Sequence, residues 1–155
     1  RDFDTALEGM IFTVGNIADV KASHTNSSDD VLAVADGKQP TSSGDMNIPR
    51  WTSWSRRGQE QWVEVKLRSV QDVEAVSVYW YDDKGGVQLP VEWGIEYMSG
   101  GEWREFKPYV TDHFGTAADQ YNMVHPASPV TTDLLRLKIK PKADAAVGIL
   151  ELTVE

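Results

Sequence analysis

The amino-acid sequence predicts an all-β fold, an antiparallel β-sandwich of about eight short strands. Three observations carry the prediction. Hydrophobicity, wherever it is patterned, alternates with period two, as in strands buried on one face. The apolar runs are short and end in clusters of Gly, Asp, Asn and Ser. Only Asp112 to Gln120, with its Ala117-Ala118 pair, leaves room for a helical turn.

Taken in order, residues 1–15 read as a linker or a first edge strand, with Met10 to Val14 a weak strand candidate, and residues 16–155 as one domain. Val20 to Ser23 is a second weak candidate. His24 to Pro49, rich in Ser, Asp, Gly and Asn, reads as a long loop unable to form a core by itself, and loops of that length in compact domains tend to be functional. Gln61 to Leu67 places Val63, Val65 and Leu67 on one face, and Val76, Val78 and Trp80 repeat the pattern. Lys84-Gly85-Gly86 opens a longer loop. Val91, Trp93, Ile95 and Tyr97 alternate with Glu92, Gly94 and Glu96, and Ser99-Gly100-Gly101 follows as a hairpin turn toward a weaker strand within Trp103 to Val110. Tyr121 to Val124 is a further candidate. Leu135, Leu137 and Ile139 alternate with Arg136, Lys138 and Lys140, and Leu150, Leu152 and Val154 close the chain, with Glu151 on the opposite face.

At 155 residues the chain fits one hydrophobic core. The absence of Cys removes disulfides, thiolate nucleophiles and Cys-ligated zinc. A formal charge of −9, from 24 acidic against 15 basic residues, sets a field that repels nucleic acid and anionic membrane surfaces. No stretch approaches the roughly 18 apolar residues of a spanning helix, so membrane insertion is not expected. Because the chain opens Arg1-Asp2-Phe3-Asp4, without a Met or a signal-peptide pattern, it is expected to be part of a larger protein whose targeting signal lies outside it.

No catalytic residue is assigned. There is no G-x-S-x-G elbow, and His24, His113 and His125 have no metal-type spacing. A sharper signal lies in Ala33 to Thr41, where Asp36, Gly37 and Thr41 can direct oxygens into one small cavity, as a hard cation requires. The same residues also suit an ordinary Asp-Gly turn with a capping hydroxyl. Glu151 can reach such a loop from the other end of the chain. The chain ends are therefore expected to meet as neighbouring antiparallel strands.

Six Trp and five Tyr form the other unusual feature. Sugar rings present C–H faces that stack on aromatic rings, with hydroxyls that need carboxylates and amides beside them. Parity assigns Trp80 to the core, and Trp62 and Trp93 also read as core. Trp54 and Tyr81 read as loop aromatics, open to binding or to packing. Arg56-Arg57 and the Arg136, Lys138, Lys140 set suit either an anionic sugar or a solvated face, and Asn26-Ser27-Ser28 is formally a glycosylation triplet.

Several landmarks fall into one order: Asn16-Ile17-Ala18, Ala22-Ser23, Ala35-Asp36-Gly37 with Thr41, Trp51-Thr52-Ser53, Gln61 to Val65, and Gly148 to Leu152. Together they resemble the discoidin, or coagulation factor type C, family. Val78 to Asp83, Pro90 to Trp93 and Gly148 to Glu151 are similar to accessory domains of bacterial glycoside hydrolases resembling β-L-arabinofuranosidases. The resemblance implies a galactose-binding-like jelly roll with a structural Ca²⁺ near the chain ends. It implies side-chain ligands Asp36, Thr41 and Glu151, and backbone carbonyls from Ala33, Lys38 and Leu150. Sugar-binding members carry an Arg and then an Asn where this chain has Tyr81-Asp82-Asp83 and Gln88-Leu89.

The reading is a non-catalytic carbohydrate-binding module of a secreted, periplasmic or cell-surface bacterial glycan-degrading protein. Its partners are a plant or host polysaccharide and the catalytic domain of the same parent chain. Trp54 and Tyr81 are expected to stack on the sugar while Asn47, Asp83 and Gln88 order its hydroxyls. The alternative is an accessory domain that packs against a glycoside hydrolase and binds no free sugar.

Overall fold

A computed structural model describes residues 10–155. Among the described residues, nine strands form two antiparallel sheets: β1 (Ile17–Ala22), β2 (Trp51–Thr52), β3 (Gln61–Asp72), β4 (Val76–Tyr81), β5 (Glu92–Ser99), β6 (Glu102–Glu105), β7 (Tyr121–Val124), β8 (Thr131–Lys140) and β9 (Gly148–Val154). The first sheet runs β1-β3-β8-β5-β6 and the second β2-β9-β4-β7.

The period-two pattern sets which faces meet. Val63, Val65 and Leu67 of β3 lie opposite Leu137, Leu135 of β8 and Ile17 of β1 in register, and Trp93 and Ile95 of β5 lie opposite Ile139 and Leu137. These side chains, with Val76, Val78 and Trp80 of β4 and Ile149, Leu152 and Val154 of β9, form the core between the sheets. Most are less than 4 % exposed, and each such aliphatic chain contributes about 1.5–3 kcal/mol by leaving water. Two indoles share one anchor: Trp80 Nε1 and Trp93 Nε1 both donate to the Gly115 carbonyl, at 3.0 and 2.8 Å.

β4 is buried along its whole length on both faces. Its outward Tyr79 and Tyr81 join Val87, Ala146 and Leu150 in a second apolar cluster, against which Ile48, Trp54 and Tyr121 pack. Long loops therefore cover the outer face of the four-stranded sheet as a third layer.

The structure departs from the sequence reading at several points. Residues 1–9 of the 1–15 stretch lie outside the described residues, and Met10 to Val14 carries no strand, although Val14 N–H donates to the Ala35 carbonyl. Asp112 to Gln120 forms no helix. It is an irregular loop held by Asn122, whose side chain bonds Ala117 N–H and the Ala117 and Gln120 carbonyls. The helical piece instead sits inside the polar loop, as a 3-10 helix over Val31–Ala35 whose N-cap Asp30 accepts from Leu32 N–H at 2.9 Å. It buries Val34 and Ala35 in the core. Trp62 is 37 % exposed, because its parity sends it to the solvent face of β3.

Two corrections concern the last strand. β1 and β9 are not paired neighbours: they lie in different sheets, and the chain ends meet where Asn16 Nδ2 donates to the Val154 carbonyl at 2.8 Å. β9 also carries a bulge. Tyr79 faces Glu151 while Trp80 faces Ile149, so Leu150 is an extra residue. Leu150 thus turns outward with Glu151, and Ile149, Leu152 and Val154 take the core positions.

Candidate functional site

The loops preceding and following β2 and the loop after β4 enclose a cleft of about 310 Å³ at one end of the sandwich. Asn26, Asp29, Arg50, Trp54, Tyr81 and Asp83 line it. Asp29 is its organising carboxylate. Oδ2 accepts from the Thr52 hydroxyl at 2.5 Å and from Asn26 Nδ2 at 3.2 Å, while Oδ1 lies 3.9 Å from Arg50 Nη1. Arg50 Nη2 also donates to the Met46 and Ile48 carbonyls, and its Nε is buried without a partner.

Trp54 stands half-buried at the cleft edge. Its ring packs so closely on Gly86 that a Cβ there would sit 2.1 Å from Cζ3, and the Arg57 guanidinium lies 4.7 Å from the ring centroid. Tyr81 is different. It is only 3 % exposed, and the Arg50 guanidinium covers its ring at 4.8 Å. Tyr81 ends a strand rather than entering a loop, so it supplies floor and a phenol, not an open stacking face. Burial raises the pKa of that phenol above its ordinary value.

The remaining predicted sugar contacts divide. Asp83 lines the cleft, with Oδ1 already accepting from Gly85 and Val87 N–H groups at 2.7 and 3.1 Å. Asn47 and Gln88 lie outside it. Asn47 is exposed and its N–H donates to Asp45 Oδ1, while Gln88 bonds the Gly85 carbonyl and Lys142. Both side chains belong to the frame of their loops. Arg50, Asp29 and Asn26 were missed by sequence reasoning. The available signals were the isolated basic Arg50 in an otherwise uncharged Met46–Ser55 stretch, and Asn26-Ser27-Ser28 followed by Asp29.

Two members of the basic set on β8, Arg136 and Lys140, are paired with carboxylates. Arg136 bonds Glu64 at 2.9–3.0 Å, lies 3.8 Å from Glu96 and sits over the Trp103 ring at 3.9 Å, while Lys140 pairs with Glu92.

A second arrangement lies where the 3-10 helix meets β9. Gly37 N–H donates to Glu151 Oε2 at 2.9 Å, and Lys38 N–H to Asp36 Oδ1 at 3.0 Å. The other oxygens, Glu151 Oε1 and Asp36 Oδ2, are buried with no partner. Burial first, and the charge of Asp36 second, push the Glu151 carboxyl up to about 9, and burial raises Asp36 as well. A buried and a half-buried carboxylate, each with a buried oxygen left without a partner, are costly unless a proton or a cation satisfies them. Of the other expected ligands, Thr41 donates its hydroxyl to Asp45 Oδ2 at 3.1 Å, Ala33 and Lys38 flank Asp36 in sequence, and Leu150 is the bulged residue before Glu151. Among the described residues no three His, Asp or Glu side chains converge. A cation here would therefore be held by two carboxylates and neutral oxygens, a hard donor set that fits Ca²⁺.

The structure is thus an antiparallel β-sandwich crowned at one end by a polar, aromatic-edged cleft. The sequence profile of the F5/8 type C domain matches residues 19–152, and the chain belongs to that family. Among solved structures, it is similar to one from the Streptococcus pneumoniae β-galactosidase BgaA, with a TM-score of 0.71, 22 % identity and coverage of 90 % of this chain and 97 % of that one. It is similar to the family 32 carbohydrate-binding module of Clostridium perfringens NanJ in complex with galactose, with TM-score 0.67, 14 % identity and coverage of 88 % and 91 %. It is also similar to a pectin-binding carbohydrate-binding module, with TM-score 0.66, 18 % identity and coverage of 92 % of each chain. At these identities the likeness concerns the fold. No helix among the described residues is long and apolar enough to cross a membrane.

Proposed function

We propose that this chain is a non-catalytic carbohydrate-binding module of a secreted or cell-surface bacterial glycan-degrading protein. The observation that carries the reading is the composition of the loop cleft. A half-buried indole, the Arg50 guanidinium, and the carboxylates of Asp29 and Asp83 surround a volume at the small end of the range for ligand pockets, about 300–1,000 Å³. Trp54 offers the apolar surface for a ring, and Arg50, Asp29 and Asn26 offer donors and acceptors to its hydroxyls. Galactose in the Clostridium perfringens relative and pectin in the other relative support a sugar as the ligand. The module raises the local concentration of a linked catalytic domain at its polysaccharide, an avidity effect that needs no chemistry here.

Asp36 and Glu151 would hold a structural Ca²⁺ in this reading, with Thr41 and the carbonyls of Ala33, Lys38 and Leu150 supplying neutral oxygens. The ion supplies charge neutralisation and joins the loop of the 3-10 helix to the last strand.

Isothermal titration against galactan, arabinan, pectin fragments and host glycans tests the sugar reading. Binding to one of these that Arg50→Ala and Trp54→Ala each weaken is the expected result; no heat from any of them refutes it. The burial of Tyr81 favours a second reading, an accessory domain packed on a glycoside hydrolase and binding no free sugar. Silence across the panel together with tight association with the catalytic domain identifies that case.

A further inference from the structure

The cleft does not stand alone. On the side of Trp54 it adjoins a second depression of about 620 Å³, lined by His24, Ser27, Arg56 and Gln59, and Asn26 and Trp54 line both. On the side of Asp83 it adjoins a third of about 370 Å³, lined by Ser42, Met46, Lys84 and Asp119, and Asp83 lines both. Asn26 and Trp54 thus stand at the first boundary and Asp83 at the second. Arg56, Gln59, Met46 and Lys84 are all exposed, Met46 by 70 %.

A site that reads the end of a glycan closes around the terminal ring. This one is continued on either side, past Asn26 and Trp54 by Arg56 and Gln59 and past Asp83 by Met46 and Lys84. His24 is fixed on the outer side, its Nε2 lying 3.0 Å from the Trp54 carbonyl, and on the other side Asp119 Oδ1 accepts from Ser43 N–H at 2.8 Å. Each outer depression is therefore lined in part by residues tied to another segment by a hydrogen bond. We propose that the loop end binds an internal stretch of a glycan chain, three rings or longer, with Trp54 and Asp83 at the junctions between subsites. The proposal rests on the carbohydrate-binding reading and adds the form of the ligand to it.

The test is titration calorimetry with length ladders of one to four rings, run separately with galacto-oligosaccharides, oligogalacturonides and chitosan oligosaccharides on the full chain. Affinity that rises at least tenfold from one ring to three and then levels off is the expected result. Arg56→Ala with Gln59→Ala, and separately Met46→Ala with Lys84→Ala, are expected to erase most of that gain. Affinity for the single ring should stay within twofold, since none of the four residues lines the central cleft. Equal affinity for one ring and four within a ladder that binds overturns the proposal and leaves the carbohydrate reading standing. No binding by any ladder overturns both. A length dependence that neither double variant touches also overturns the proposal, because the extra rings would then lie elsewhere.

Discussion

Replacing Glu151 by Gln should raise the stability of the metal-free chain, and Ca²⁺ bound to the parent should close most of that gap. In chelator-treated protein the folded state keeps a proton on Glu151 up to about pH 9, whereas the unfolded chain releases it near 4.5. The group's pKa is raised on folding, so the unfolded state binds fewer protons between these values and stability falls as pH rises across that window. At about 1.36 kcal/mol per pH unit, roughly 3 kcal/mol is lost between pH 4.5 and pH 7. Glu151 is 2 % exposed, so solvent screening reduces this little. Gln is neutral and nearly isosteric. Its carbonyl can accept from Gly37 N–H as Oε2 does, and its amide can donate to the orphaned Asp36 Oδ2. At pH 7 without metal, the variant should therefore melt above the parent, by roughly 6–12 °C at 2–4 °C per kcal/mol. Ca²⁺ at 100 times its dissociation constant should add about 2.7 kcal/mol to the parent and little to the variant. Differential scanning calorimetry at pH 5 and pH 7, with EDTA and with Ca²⁺, reads all four combinations. A chelated parent that is as stable at pH 7 as at pH 5, or a variant that gains as much from Ca²⁺ as the parent, refutes the reasoning.

Other outcomes follow from the same structure. Trp54→Ala should weaken sugar binding at least about tenfold while moving the melting temperature by only a few degrees, a split that calorimetry and thermal melts resolve. Gly86→Ala places a methyl 2.1 Å from the Trp54 ring, so the indole must leave its seat; binding should fall as in Trp54→Ala, and a shift in tryptophan emission should report the displaced ring. Asn122→Ala removes bonds to the buried Val78 carbonyl and to the 117–120 loop, and about 2–4 kcal/mol of stability should go with them in urea unfolding. Lowering the pH below the ordinary carboxylate range should loosen the loop around Asp45, whose carboxyl is held down by the N–H groups of Thr41 and Asn47, and amide exchange at those two residues should report it.

Much of the sandwich was legible because its strands lie with one face on the core, so Val63, Val65 and Leu67, or Leu135, Leu137 and Ile139, announce themselves by alternation. β4 was harder to read for function. Buried on both faces, it gives no alternation to separate Tyr81 from the core residues, and a tyrosine next to Asp82-Asp83 looks like the start of a loop. Trp62 failed in the other direction, since its strand was found but the outer parity of its position was not applied. The proximity of Asp36 and Glu151 was legible: 115 positions apart, they are joined through the bond from Gly37 N–H to Glu151. The cleft was legible only in part. Trp54, Tyr81 and Asp83 were named, but Arg50 and Asp29 become site residues only when the loop before β2 folds over the four-stranded sheet, a tertiary event with no local periodicity.

The supernumerary Leu150 gives β9 an unusual sensitivity to length. With it, Ile149 and Leu152 both point inward although they are three positions apart, and Glu151 faces the loop. Deleting one residue between them would restore strict alternation, and the chain would have to choose between keeping Leu152 and Val154 inside and keeping a carboxylate beside Asp36. Substitution in this stretch is graded, but insertion or deletion is all-or-none. Drift among descendants of this sequence should therefore accumulate gaps in the loop following β4 and almost never in the final strand.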